Sequence, residues 1–176
     1  MTKKKLLSTL LTLIVAIILT YLTTPAENYT PPGEVLNASD DNFTDQNKLY
    51  KVTKVIDGDT IEIEGGQKIR YIGIDTPEST IQHECFGKEA SAKNKELVEG
   101  KSVKLVKDVS ETDKYKRLLR YVYVDDIFIN EELVKTGYAN VASYPPDIKY
   151  QDKFNDAEKQ AREASLGLWE SCQEDI

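Results

Sequence analysis

Short runs rich in β-branched residues alternate with tight-turn signals from Leu49 onward. Runs of four to eight such residues, separated by Asp-Gly or Gly-Gly, are typical of strands joined by hairpins. The second and third runs are separated by Gly65-Gly66, and the first two by Asp57-Gly58. The pattern predicts five strands: Leu49–Ile56, Thr60–Glu64, Lys68–Ile74, Ser102–Lys107 and Leu118–Asp125.

Three segments carry helical periodicity between and after these strands. Lys88–Glu99 is followed by Gly100, a residue favoured at helix C-termini, and a short helix is expected from an Asn130 N-cap to Gly137. A final helix is predicted for Tyr150–Leu166, with an apolar face that extends to Leu168. Three strands, one helix, two strands and two helices do not alternate as βαβ units. The order predicts an α+β fold, with a five-stranded barrel and three α-helices packed outside it.

The first residues carry an export signal. Three lysines at positions 3–5 precede an apolar run over 6–22. This arrangement is typical of a signal peptide or membrane anchor, so we expect an N-terminal signal or anchor helix before the barrel. The run is long for a cleaved signal and short for a membrane span, so both alternatives stay open. We expect residues 1–26 to be this segment, 27–48 a flexible polar linker, 49–172 the folded domain and 173–176 a tail. We expect the chain outside the cell, either secreted or anchored to the outer face of the membrane. It would contact the membrane only through the N-terminal segment, and only if that segment is not cleaved.

The charge balance limits how the protein could hold a polyanion. The 176 residues carry a net charge of −7, and the segment 49–172 alone has 19 basic and 23 acidic residues. This excludes binding through a broad basic surface. The single histidine excludes a mechanism with two histidines as acid and base, and two cysteines cannot form a four-cysteine zinc site.

Carboxylates cluster at two turns of the predicted barrel. Asp57-Gly58 alone is typical of a hairpin turn, but such a turn does not require the second carboxylate, Asp59. Asp75 and Glu78 flank Thr76-Pro77 after a strand, and proline makes that exit rigid. Carboxylates and a backbone carbonyl are ligands that Ca²⁺ prefers, so these residues suggest an all-oxygen calcium site.

A basic cluster precedes the fifth strand. Lys114, Lys116, Arg117 and Arg120 lie within seven positions. A solvated turn is the alternative interpretation. Together with Arg70, the cluster suggests a phosphate clamp, since guanidinium groups donate two hydrogen bonds to phosphate oxygens.

The order of these motifs resembles that of the staphylococcal nuclease family over about residues 49–169. The matching segments are Val55–Thr60, Arg70 with Ile74–Glu78, Gly87–Ser91, Thr112–Tyr115 with Arg117, and Asn130–Gly137. The resemblance implies an OB-fold barrel with three helices and a Ca²⁺-dependent phosphodiesterase. That enzyme would act on DNA and RNA with weak sequence preference and leave 3′-phosphate ends. We expect a monomer.

The resemblance also implies a role for individual residues. Asp59 and Asp75 resemble the calcium carboxylates, and Thr76 resembles the residue that offers its backbone carbonyl. Glu78 resembles the residue that positions or deprotonates the attacking water. Arg70 and Arg117 match the phosphate-binding arginines, and Lys114, Tyr115 and Tyr144 correspond to substrate-binding positions.

The chain departs from the family pattern at several positions. Glycine is frequent in the family where this chain has Lys116, and a left-handed backbone there would cost lysine about 1 kcal/mol. Ser143–Pro146 lacks the evenly spaced tyrosines of the best-known member, and Tyr144 is one position off. The loop from Ser79 to Phe86 also differs.

The sequence leaves alternatives open for the state of the two cysteines and for the function. Export permits a disulfide between Cys85 and Cys172, with two free thiols as the alternative. The competing functions are a catalytically idle OB-fold module that binds nucleic acid and a Ca²⁺-stabilised surface domain with a protein partner.

Overall fold

A computed structural model describes residues 48–79 and 84–172 of the chain. The predicted signal or anchor over 1–26, the linker up to residue 47 and the tail over 173–176 lie outside the described residues. So do positions 80–83, which include the histidine. No helix in the two described ranges is long and apolar enough to cross a membrane.

Five strands close into a barrel, as the sequence pattern predicts. They are β1 (Leu49–Asp57), β2 (Thr60–Ile63), β3 (Lys68–Tyr71), β5 (Ser102–Val106) and β6 (Leu118–Val124). They pair in the order β3-β2-β1-β5-β6, and parallel pairing of β3 with β6 closes the circle. Two-residue strands β4 (Ile74–Asp75) and β8 (Asn140–Val141) form a separate ladder, and β7 (Ile127–Phe128) pairs antiparallel with the end of β6.

The predicted third strand is shorter than expected. Lys68–Ile74 divides into β3 and β4 because Ile72 and Gly73 form a turn in which Gly73 has a φ of 79°. A side chain there would also collide with Phe154, whose ring lies 2.5 Å from the position of the missing Cβ. The division matters for the site, since it lets Asp75 leave the barrel at its rim.

Four helices are present in the described part of the chain: the three that the sequence predicts and a short fourth that it does not. They are α1 (Gly87–Val98), α2 (Ile129–Lys135), α3 (Gln151–Glu163) and α4 (Leu168–Ser171). The predicted final helix stops at Glu163 because Ser165 and Gly167 adopt left-handed φ values of 51° and 57°. A Cβ at Gly167 would lie 2.3 Å from the Gly137 carbonyl oxygen. This close approach of two backbones turns the chain and makes Leu168 the start of a separate helix.

The main core lies inside the barrel and beneath α2 and α3. Strand residues alternate between this core and solvent, as in β1, where Tyr50 and Val52 are buried between exposed neighbours. Phe154 on α3 and Leu133 on α2 close the core from outside the barrel. A second, smaller cluster lies between Cys85–Phe86 and the C-terminal segment: Ala161, Leu168, Trp169 and Cys172.

Asn130 does not cap its helix, contrary to the sequence prediction. The helix begins at Ile129, and the fully buried Asn130 side chain joins β6 to the turn after β3. Its carbonyl oxygen accepts from the Val122 N–H at 2.9 Å, and its amide donates to the Ile72 carbonyl at 2.9 Å. Asn130 therefore satisfies two buried backbone groups, one in β6 and one in the turn after β3.

Asn130→Ala is expected to lower the free energy of unfolding by about 3 kcal/mol, because each unpaired buried backbone group costs about 1–3 kcal/mol. Urea denaturation measures the change. The matched control is Asn155→Ala on the exposed face of α3, which should stay within about 0.5 kcal/mol of the parent. Equal shifts for both variants would contradict the bridging role.

Lys116→Gly is expected to raise the free energy of unfolding by about 0.5–1 kcal/mol. Lys116 has a φ of 63°, and glycine removes the Cβ clash of this left-handed conformation while adding flexibility to the unfolded chain. Lys114→Gly is the control, since Lys114 lacks a positive φ and should lose up to about 1 kcal/mol. Thermal and urea denaturation of both variants test the sign, and a destabilised Lys116→Gly protein would refute it.

Candidate active site

The first functional side chain lies in the hairpin between β1 and β2. Asp57 pairs with Thr60, so Gly58 and Asp59 form the two-residue turn. Gly58 is required by space rather than by a left-handed backbone, because a Cβ there would lie 2.5 Å from the Thr76 hydroxyl oxygen. The turn thus fits directly against Thr76 and holds Asp59 at the rim of the barrel.

Asp59 is a buried carboxylate with a partner for each oxygen. Oδ2 accepts hydrogen bonds from the Thr76 N–H at 3.0 Å and from its hydroxyl at 3.2 Å, while Oδ1 accepts from the Thr60 hydroxyl at 3.0 Å. The Arg70 guanidinium lies 2.9 Å from Oδ2. This set of partners offsets the cost of burying the charge.

Arg70 connects this carboxylate to the next one along the chain. Its Nη1 donates to the Ile74 carbonyl at 3.0 Å, and its Nη2 donates to Asp75 Oδ1 at 2.6 Å. Burial raises the pKa of Asp75 above its usual value, opposed by Arg70 and reinforced by the charges of Asp59 and Glu84. Two carboxylates thus share one arginine at the rim where β3 gives way to β4.

Glu78 is largely exposed, and hydrogen bonds hold its backbone. The Glu78 N–H donates to Glu84 Oε2 at 2.9 Å. Partial burial, followed by the nearby Asp57 and Asp59 carboxylates, raises the pKa of the Glu78 side chain. Its neighbour Ser79 donates to Asp57 Oδ1 at 2.8 Å, so the segment after Pro77 is tied back to the first hairpin.

Arg117 reaches the same place from the turn before β6. Its Nε donates to Asp113 Oδ2 at 2.6 Å, and its Nη1 donates to the Thr60 hydroxyl at 3.3 Å. Burial alone would raise the pKa of Asp113, but the hydrogen bonds and the positive charge of Arg117 outweigh it and lower that pKa. The left-handed Lys116 belongs to this turn, in which the Arg117 and Tyr115 N–H groups both donate to Asp113.

Arg120 does not belong to the basic cluster that the sequence suggested. Its side chain is buried and contacts the Glu111 carboxylate, and it donates to the Leu119 carbonyl at 2.7 Å. Its position in β6 directs it away from solvent, an orientation that a local count of charges does not reveal.

Two adjoining clefts collect the predicted residues. The first, of about 360 Å³, is lined by Asp59, Arg70, Asp75, Glu78 and Arg117. The second, of about 450 Å³, is lined by Lys114, Tyr115 and Tyr144 and shares both arginines with the first. Thr76 lies behind Asp59, buried and outside the lining of either cleft.

Other residues of these clefts were missed by the sequence reasoning. Asp57 and Lys68 line the first cleft, and Asp113 and Asp147 line the second. Asp57 stands in the same Asp-Gly-Asp motif as Asp59 and was assigned only to the turn. Asp147 accepts hydrogen bonds from the Val109 and Ser110 N–H groups, contacts 38 and 37 residues apart that no local pattern signals.

The two cysteines are joined in a disulfide. The Cys85 and Cys172 sulfurs are 2.04 Å apart, and the bridge links the segment before α1 to the residue after α4. Both cysteines belong to the second apolar cluster described above.

The donor chemistry at the rim suits a hard cation. Asp59 and Asp75 offer carboxylate oxygens on either side of Arg70. Within the described ranges, no group of three or more His, Cys, Asp or Glu side chains is arranged to hold a metal. A Ca²⁺ ion, which takes six to eight oxygens, would need further oxygens from water or a ligand.

The family model described as staphylococcal nuclease homologue matches residues 68–171. A thermonuclease of Staphylococcus hyicus is 36% identical over 172 residues, covering 94% of this chain and 98% of that protein. A thermonuclease of Staphylococcus intermedius is 40% identical over 69% of this chain and 76% of its own length.

A further relative is longer than this chain. Endonuclease YncB of Bacillus subtilis (strain 168) is 44% identical over 70% of this chain, and the match covers 64% of its own length. The family model, the near full-length thermonuclease relative and the closed barrel agree with one another. The chain therefore belongs to the staphylococcal nuclease family.

Proposed function

We propose that the chain is an exported Ca²⁺-dependent nuclease that hydrolyses phosphodiester bonds of DNA and RNA with little sequence specificity. The observation that carries the proposal is one cleft whose lining brings together the predicted acids and arginines: Asp59, Asp75, Glu78, Arg70 and Arg117. Membership in the staphylococcal nuclease family and the thermonuclease and endonuclease names of its relatives support it.

The arginines would bind the scissile phosphate. Both line the two clefts, so a phosphodiester between them could send its flanking nucleotides into either one. Carboxylates anchor both arginines: Asp59 and Asp75 hold Arg70, and Asp113 holds Arg117. Each guanidinium is therefore fixed before the substrate arrives. Pre-fixed donors stabilise the charge that grows on phosphate oxygens during attack.

Glu78 would hold the attacking water. Its side chain lines the same cleft, where partial burial and then the acids around it raise its pKa. A carboxylate that accepts a hydrogen bond from water orients it and can take its proton. The neighbouring negative charges also repel a bare phosphate, so the acidic side of the cleft requires a cation for substrate to bind.

Calcium supplies that cation in the proposal. Held by Asp59, Asp75 and the Thr76 carbonyl, Ca²⁺ would polarise a phosphate oxygen as a Lewis acid. The residues of the chain keep the donor oxygens in place: Thr76 and Thr60 orient Asp59, and Arg70 orients Asp75.

The second cleft would receive the nucleotide next to the scissile bond. Tyr115 and Tyr144 are 68% and 65% exposed beside Lys114, an arrangement that suits base stacking beside a phosphate contact. Stacking contributes about 1–3 kcal/mol per base and tolerates every base. The low sequence specificity of the proposal follows from this mode of binding.

Glu78→Gln and Arg117→Ala are each expected to lower kcat on single-stranded DNA by about 10² to 10³, because each removes one electrostatic contact with the reacting groups. Matched controls on the exposed face of α1, Glu96→Gln and Lys95→Ala, should retain parental rates. Initial rates with millimolar Ca²⁺ measure the effect. Full activity in both site variants would refute the assignment, and binding without hydrolysis by the parent would identify an idle binding module.

Calcium is expected to raise the melting temperature of the parent, since an ion at 100 times its Kd stabilises the folded state by about 2.7 kcal/mol. Asp75→Asn should lose most of this increment, because a neutral amide oxygen replaces an anionic ligand. Asp126→Asn, exposed after β6, is the control and should keep the full increment. An increment in Asp75→Asn equal to that of the parent would exclude Asp75 as a ligand.

A further inference from the structure

One residue, Glu84, holds both backbone polar groups of Glu78. The Glu84 N–H donates to the Glu78 carbonyl at 2.9 Å, and the Glu78 N–H donates to Glu84 Oε2 at 2.9 Å. The pair is reciprocal, so the backbone of Glu78 follows any displacement of Glu84. None of the family motifs that identify the site includes Glu84.

Gly87 brings the start of α1 against the same backbone. A Cβ at Gly87 would lie 2.5 Å from the Glu78 carbonyl oxygen, so only glycine permits this approach. Between Glu84 and Gly87, the chain passes through Phe86 with a left-handed φ of 68°. The short segment 84–87 thus lies directly behind the proposed water-positioning residue.

The opposite side of this segment is fastened to the C-terminal end of the domain. Cys85 is bonded to Cys172, and Cys85 and Phe86 pack against Ala161, Leu168 and Trp169. The bridge joins positions 87 residues apart, whereas the apolar cluster that it closes has only a few members. Cys85 is only half-buried, so the bridge is a covalent addition to a modest apolar contact at this residue.

We propose that the Cys85–Cys172 disulfide and Glu84 form a brace that positions Glu78, and that reduction of the disulfide lowers nuclease turnover. The inference rests on the proposed function, in which Glu78 must hold water in line with a phosphate. A displacement of about 1 Å at a reacting group can lower a rate about 10²-fold. The arginines and Asp59 are held by β2, β3 and the Asp113 turn, so reduction should leave substrate binding largely intact.

The redox step needs a thiol reductant. A dithiol attacks one sulfur of the bridge, the S–S bond accepts two electrons and two protons, and two protein thiols form while the reductant becomes a cyclic disulfide. Air or a disulfide oxidant reverses the step. The brace therefore makes turnover dependent on the redox state of the surroundings.

The first test compares the oxidised parent, the parent treated with dithiothreitol, and Cys85→Ala/Cys172→Ala with and without dithiothreitol. We expect kcat to fall at least tenfold on reduction and in the double variant, with KM within about twofold. Dithiothreitol should not affect the double variant. Rates are measured well below each melting temperature, with circular dichroism to establish that each form is folded. An unchanged kcat in a reduced, folded parent overturns the proposal.

The second test separates Glu84 from general stability. Glu84→Gln keeps an oxygen that accepts from the Glu78 N–H, whereas Glu84→Ala removes it. We expect Glu84→Ala to lose kcat about as much as reduction does and Glu84→Gln to retain most of it. Equal loss in both variants, or none in Glu84→Ala, overturns the positioning role.

Hydrogen exchange provides a readout that does not depend on nuclease activity. Reduction should accelerate exchange of the Glu78 and Glu84 amides while leaving those of β2 and β3 unchanged. Faster exchange with unchanged kcat would overturn the catalytic consequence, and unchanged exchange would overturn the brace itself. If the oxidised parent hydrolyses nothing with Ca²⁺, the proposed function fails, whereas the exchange experiment still decides whether the brace exists.

Discussion

The buried carboxylate of Asp59 is the constraint on which the rim of the barrel depends. A charge removed from water must be paired and hydrogen-bonded, and Asp59 meets this need only if Arg70 and Thr76 both reach it. Arg70 in turn requires Asp75, and Thr76 requires the space left by Gly58. The β1–β2 hairpin, the end of β3 and the exit through β4 are therefore fixed to one another by a single ionic centre.

Local patterns were sufficient for the barrel strands and for much of the site. Strand alternation and Gly-rich turns predicted all five strands, because each of these signals lies within a few residues. Charged clusters at turns indicated Asp59, Asp75 and Arg117 as site residues, and the family resemblance supplied the role of each. The predicted ends of the third strand and of the final helix were wrong near Gly73 and Gly167. At both glycines the backbone lies against a residue distant in sequence, and this contact interrupts the element.

Contacts distant in sequence account for what could not be predicted. Asn130 has the residue type and position of an N-cap, yet its partners are 8 and 58 residues away, and only the closed barrel brings them together. Arg120 looks like part of a basic patch, but the pleat of β6 turns it inward. Glu84 lies in none of the matched sequence motifs. In each case the side chain acts on backbone groups whose location depends on the completed fold.

The acidity of the domain is compatible with an anionic substrate because charge acts locally here. Salt screens exposed charges beyond about 8–10 Å, so the excess of acids elsewhere on the surface contributes little inside the clefts. Within them, Arg70 and Arg117 are partly buried and already oriented by carboxylates, which strengthens their contacts with a phosphate. The same carboxylates would repel that phosphate if uncompensated. A divalent cation at the proposed site would remove this repulsion, and an acidic protein would then bind nucleic acid through a few local contacts and release it readily.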